Sequence, residues 1–222
     1  MHKLGSSIYT ILLCLVFASS QAQETKQVSA YRKIDRLAIS EKFSVLKSDR
    51  KVKHGPYEAS ISYYSEKGQF EFGKKTGIWE CYYDGKLTQK YDFSTQTFLV
   101  QEYPKIVFSV IEVDDQGNAV KDLGTCNLFV GGDAKMGSII RRSIRYPTMA
   151  QETSTQGLVI IEAKLDKLGN ISDAKAVSNI GFGLEEEGLR AFKLLSPDWV
   201  PVFVDGKPVD VKFRLQIKFT LS

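Results

Sequence analysis

From Val209 to Leu221 the chain alternates without a break. Val209, Val211, Phe213, Leu215, Ile217, Phe219 and Leu221 share one side, and Asp210, Lys212, Arg214, Gln216, Lys218 and Thr220 the other. A period of two is strand geometry, and a strand apolar on one side only belongs in an antiparallel sheet covered on one face. These thirteen residues, at about 3.3 Å each, span roughly 40 Å. That is long for the neighbours a domain of this size can supply. Part of the strand is expected to overhang and present unpaired backbone, which has to be protected or used.

The residues before this strand supply something for it to pack with. Asp133 is placed to cap a helix, with Met136, Ile139, Ile140 and Ile144 on one face and a stop at about Arg145, because Pro147 cannot continue it. Leu158 to Asp166 reads as a strand with Val159, Ile161, Ala163 and Leu165 on one face. Lys167-Leu168-Gly169-Asn170 reads as a turn, and Ile171 to Val177 as the returning strand with poor alternation. A second helix begins at Leu184. Glu185, Glu186 and Glu187 complement its dipole, and Leu184, Ala191 and Leu195 line its apolar side. At i, i+1 and i+2 the three acids splay around the helix, so a solvated first turn is expected rather than a catalytic or metal site. Gly188 would let this helix approach the sheet closely.

These elements, taken with Gly131-Gly132, Tyr146-Pro147, Ala150, Gly157, Gly169, Trp199, Pro201, Gly206-Lys207-Pro208 and Phe219, resemble the C-terminal domain of TonB proteins over about ninety residues. The resemblance implies a two-helix, three-stranded antiparallel fold. It also implies a partner: an outer-membrane receptor or other envelope protein that adds an extended segment to the sheet, with backbone pairing for affinity and side-chain pockets for selectivity. The candidate contact residues are Lys212, Arg214, Gln216 and Lys218 on the last strand. To these are added Arg141, Arg142, Arg145, Tyr146 and Pro147 at the end of the first helix. Gly157, Gly169, Trp199, Pro201, Gly206, Pro208 and Phe219 are motif residues of structural weight. A homodimer sealed through the last strand is the competing use of the same edge. The six prolines are too few and scattered for the stiff spacer of TonB proper, which sets force transmission apart as an alternative that would need a retained N-terminal anchor.

Upstream, residues 53–103 are dense in aromatics and punctuated by glycines, and they carry an internal echo. His54-Gly55-Pro56-Tyr57, Tyr63-Tyr64 and Gly68 are matched by Thr76-Gly77-Ile78-Trp79, Tyr82-Tyr83 and Gly85. Asp84-Gly85 fits a tight hairpin turn. The stretch resembles MORN-like repeats of bacterial envelope proteins, in hairpin units that bury their aromatic faces by stacking. Residues 104–130 contribute a strand from Ile106 to Val113, a turn at Asp114 to Asn118 and connecting strands. Residues 23–52 read as a polar lead-in or linker with weak helical spacing, with a stable element as the equal alternative.

Met1-His2-Lys3, the apolar run Ile8 to Ala18 and Ser20-Gln21-Ala22 follow the grammar of a secretory signal peptide. This eleven-residue run falls short of the roughly 20 that span a bilayer. The expected location is the periplasm, with only indirect membrane association. Cys81 and Cys126 could pair in that compartment, although two separate packed thiols is the plainer expectation. The expected class is α+β: 1–22 signal, 23–52 lead-in, 53–103 MORN-like hairpins, 104–130 connecting strands and 131–222 the TonB-like module.

Chemistry is conspicuously missing from the pattern. After the signal the only histidine is His54, no nucleophile motif accompanies it, and His and Cys lack metal-ligand spacing. Asp114-Asp115 beside Gly117 lacks the alternating ligands of a calcium loop. A net charge of +4 without a basic stripe does not call for nucleic acid. No enzyme, cofactor or metal is expected.

Overall fold

The computed structural model describes residues 23–102, 108–195 and 197–221. The signal segment expected at 1–22 lies outside them. The first half is a meander of seven antiparallel strands in chain order: β1 (Thr25–Ile34), β2 (Leu37–Leu46), β3 (Lys53–Ile61), β4 (Tyr64–Glu71), β5 (Lys74–Tyr83), β6 (Lys86–Asp92) and β7 (Thr97–Gln101). Two-residue turns join β1 to β2, β3 to β4, β4 to β5 and β5 to β6. They carry positive φ at Asp35, Ser62, Phe72-Gly73 and Asp84-Gly85, the turn geometry that matches strand twist.

Residues 23–52 are therefore not a lead-in or linker; they supply the first two strands of the sheet. Leu37, Ile39, Phe43 and Val45 alternate inward along β2, but Glu41 occupies the same face and hides the period. The internal echo has a geometric counterpart. Gly55 and Gly77 both take positive φ, and Tyr57 and Trp79, two residues on from each, lie with ring centroids 5.3 Å apart. Gly68 sits beneath the indole: a Cβ there would fall 2.4 Å from the Trp79 ring.

The second half contains β8 (Ser109–Val113), β9 (Ala119–Thr125), α1 (Gly132–Ser143), α2 (Thr148–Glu152), β10 (Gly157–Leu165), β11 (Ile171–Ala176), α3 (Leu184–Phe192), β12 (Val202–Val204), β13 (Lys207–Val209) and β14 (Val211–Phe219). Its main sheet has five strands, ordered β11-β10-β14-β8-β9, and β12 and β13 form a separate hairpin. The expected three-stranded module is thus extended by two strands from the segment read as connecting. The hairpins β8–β9 and β10–β11 flank β14, and they turn alike. Asp114 and Asp166 each accept backbone N–H bonds from the residues two and four positions on, and Asn118 and Asn170 each bond back to that aspartate.

β14 itself is nine residues long, not thirteen. The alternation runs on through Val209 because the chain changes partner without changing phase: Val209 pairs with Val202 in the small hairpin, and Val211 with Leu165 and Glu112 in the sheet. The returning strand β11 has a register shift opposite β10, with Asp173 at φ 52°, which accounts for its poor alternation. α1 enters through the positive-φ pair Gly131-Gly132 and has no side-chain cap. Asp133 lies inside the first turn instead of capping it. After Pro147 the chain restarts as the one-turn α2, which buries Ala150.

One apolar core runs from Tyr57 and Trp79 through Met136 and Ile139 of α1 to Phe213 and Trp199. Trp199 is ringed by Phe108, Phe129, Phe192 and Phe213. Gly188 brings α3 onto the sheet as its sequence position suggested; a Cβ there would meet Val159 Cγ1 at 2.6 Å. Cys81, buried in β5, and Cys126, after β9, are separate free thiols.

Candidate protein-interaction surfaces

The edge expected on the last strand is covered over part of its length, and on the β8 side Leu215 to Phe219 have no strand partner among the described residues. β10 pairs along the whole of β14 on one side, and β8 pairs with Val211 to Arg214 on the other. Phe108 and Val110 at the start of β8 are buried in the core, so β8 is an integral strand. Lys212, Arg214, Gln216 and Lys218 share the uncovered face of the sheet; the first two lie where β8 pairs and the last two beyond it. Arg214 holds Glu162 on β10 through two bonds of 2.9 and 3.0 Å. Leu158, 41% exposed, lies opposite Lys218, and Ile160 opposite Gln216. The result is a mixed patch of cationic, amide and aliphatic side chains on rigid strands.

The basic cluster at the end of α1 stays exposed, but two of its members are tied to the meander. Arg142 donates to Ser62 Oγ at 2.6 Å, and Arg145 forms an ion pair with Asp35 in the β1–β2 turn. Arg190 of α3 reaches the same Asp35 at 3.2 Å. Arg141, Arg142 and Arg145 are all exposed. Tyr146 donates its hydroxyl to the Thr155 carbonyl and packs edge-on to Phe219. Pro147 rests against Gly183, where a Cβ would come within 3.2 Å of the ring.

Of the three acids of α3 only Glu186 is exposed; Glu185 and Glu187 are not part of a solvated turn. Glu187 is buried, accepting the Arg145 backbone N–H at 2.6 Å and pairing with Arg190. Glu185 accepts from the backbone N–H groups of Ile180 and Gly181 and from Ser178. Burial opposes ionisation of Glu185, but those backbone donors outweigh it and hold its carboxyl below the usual range. Side-chain length lets two splayed carboxylates find different partners, which residue spacing alone did not reveal.

The motif residues are structural. A Cβ on Gly157 would meet Ile180 at 2.7 Å, and one on Gly169 would meet the Trp199 carbonyl at 3.0 Å. Pro201 lies beside Gly169, and Asp205-Gly206 turns the hairpin that contains Pro208.

The strongest electrostatic feature was not singled out from the sequence. Lys135 of α1 is buried between Glu66 of β4 and Asp198, at 2.6 Å from each. Lys75 of β5 pairs with the other oxygen of Asp198, and the Tyr64 hydroxyl donates to Glu66. Gln89 ties β6 to the same junction by accepting the Gly131 N–H at 2.6 Å. Burial works against the charged forms, yet Asp198 and Glu66 hold the Lys135 ammonium above its ordinary pKa, and Lys135 and Lys75 hold Asp198 well below its own. The nearby Cys81 thiol is pushed up to about 12 by burial and by the Glu66 charge, so it stays protonated. A signal did exist: Lys135 lies four residues before Ile139 on the apolar side of α1, and Glu66 follows Tyr64 on the inward face of β4.

Against this geometry, residues 142–221 match the family described as Gram-negative bacterial TonB protein C-terminal. The C-terminal module is therefore TonB-like, a domain class of envelope protein interaction. Neither the curated proteins nor the solved structures gave a significant match to the chain. Among the described residues no helix is long and apolar enough to cross a membrane.

Proposed function

We propose that this is an exported periplasmic adaptor. Its TonB-like module binds an outer-membrane receptor or another envelope protein, and its meander is a MORN-like platform rigidly attached to that module. The observation that carries the reading is the family match over 142–221, supported by the secretory grammar of the N-terminus. With β8 paired to β14 only as far as Arg214, the contact inferred is made on the uncovered face around Arg214, Gln216, Lys218 and Leu158. The junction at Lys135 favours a partner held in fixed orientation to the meander.

A photo-crosslinking residue at Gln216 of the exported full chain tests this, with the same probe at Asp205 as control. Capture of an outer-membrane protein at Gln216 and not at Asp205 is expected. Equal capture at both sites, or none from a correctly exported chain, overturns the site. N-terminal sequencing of the exported protein is expected to begin near Gln23; retention of residues 8–18 would favour an anchored protein instead.

A further inference from the structure

The two large sheets have four edges, and three are short or broken. β7 has five residues and a register shift against β6, β9 has two shifts against β8, and β11 has one against β10. Bulges, short length and lysine side chains are the usual ways of blunting an edge. β1 has no bulge and is not short; it carries cations instead. All ten of its residues pair in unbroken register with β2, from Thr25 opposite Leu46 to Ile34 opposite Leu37. No other strand pairs with it among the described residues. Every second residue therefore turns its N–H and C=O outward over about 30 Å.

The charge along this edge has one sign. β1 contains Lys26, Arg32 and Lys33 and no acid. Lys26 and Lys33, with Arg36 in the following turn and Lys42 on β2, are exposed and form no ion pair among the described residues, whereas Asp35 and Glu41 nearby are already engaged. Tyr31, 80% exposed, stands on the open face between Ser29 and Lys33. Beside Ser29 runs a groove of about 380 Å³ whose lining mixes Lys42 and Lys67 with Glu41, Glu58 and Glu66, so the one-signed charge belongs to β1 itself and not to the groove.

We propose that β1 is a docking edge for an extended acidic segment of another protein, which adds an eighth strand to the meander. Backbone pairing supplies the frame. The unpaired cations select carboxylates, and Tyr31 gives an apolar residue of the partner a flat surface. A second copy of this chain is a poor occupant, because it would bring lysines and arginines to an edge that already lacks acids. The site lies outside residues 142–221 and stands or falls independently of the receptor contact on β14.

The test uses the exported full chain and two ten-residue probe peptides, one alternating Glu with Val or Thr, the other with Lys in place of Glu. The Glu peptide is expected to bind, to protect alternate amides of β1 from hydrogen exchange and to weaken with added salt. In the double variant K26E/K33E, checked for unchanged circular dichroism, affinity for the Glu peptide is expected to fall about tenfold and the preference to turn toward the Lys peptide. Three outcomes would each overturn the proposal: no new protection in β1, binding indifferent to the charge reversal, or a chain dimer that protects β1 without any peptide.

Discussion

The meander and the five-stranded sheet are both antiparallel, yet they are assembled by opposite means. In the meander every strand pairs with its neighbours in the chain through short turns, and its edges are β1 and β7. In the C-terminal sheet the central strand is the last one made, and it is sandwiched by hairpins that begin about a hundred and about fifty residues earlier. Nearest-neighbour pairing costs little loop entropy; closing β14 against β8 costs more and must be recovered from the aromatic packing around Trp199. Local rules thus built one sheet almost alone, whereas the other needed long-range contacts to choose its order.

The buried junction decides whether the two regions nevertheless unfold together, and Lys135→Met is the most severe way to ask. It leaves Glu66 buried without its cation and Asp198 with Lys75 alone, which should cost about 3–5 kcal/mol. The two tryptophans fall one in each region, Trp79 and Trp199, so single-tryptophan versions report each half during urea unfolding. Coincident transitions in the parent and separated ones in the variant would make the junction the coupling element. Separate transitions already present in the parent would remove that role.

Glycine packing gives a smaller, two-sided contrast. Gly68→Ala drives a methyl into the Trp79 ring, an overpacking worth about 1–3 kcal/mol. Gly188→Ala meets Val159 at a similar distance, but a helical alanine recovers about 1 kcal/mol of propensity. Thermal unfolding should therefore show the meander variant as the less stable of the pair; the reverse order would mean that β4 can shift beneath the indole.

Acid offers a gentler probe. Because the folded pKa of Asp198 is depressed, its contribution is fully present above the unfolded value of about 3.9 and is lost as pH falls through the lower folded value. Stability should hold from neutrality down to about pH 4 and decline below it, with a shallower decline in Asp198→Asn. Lys135 has the opposite sign: its contribution is complete below about pH 10.4 and fades only at higher pH. Smallest of all should be Arg145→Ala, which removes a largely exposed pair with Asp35 and should cost about 0.2–1 kcal/mol by denaturant titration.

Much of this architecture was legible in the residues. The Asp84-Gly85 turn, the apolar stripe of α1, the approach of Gly188 and the strand from Val211 all follow from period and turn chemistry. What escaped did so for physical reasons. Glu41 and Glu66 are inward-facing charges whose partners come from elsewhere in the sequence, and they disguise strands as polar linker or ordinary surface. β8 carries no mark of which strand it will join, because pairing is a backbone property chosen by packing. The expected edge was shortened by the same omission: β8 pairs with Val211 to Arg214, and only Leu215 to Phe219 lack a described partner on that side.

The neighbour on β14 has a practical bearing. A fragment begun at residue 142, where the family match starts, would carry β14 away without β8 and leave Trp199 without Phe108 and Phe129. It would expose a raw hydrogen-bonding flank that the intact chain covers at Val211 to Arg214. Such a fragment would be a sticky object, and the peptides it captured in a binding screen would describe the cut rather than the protein.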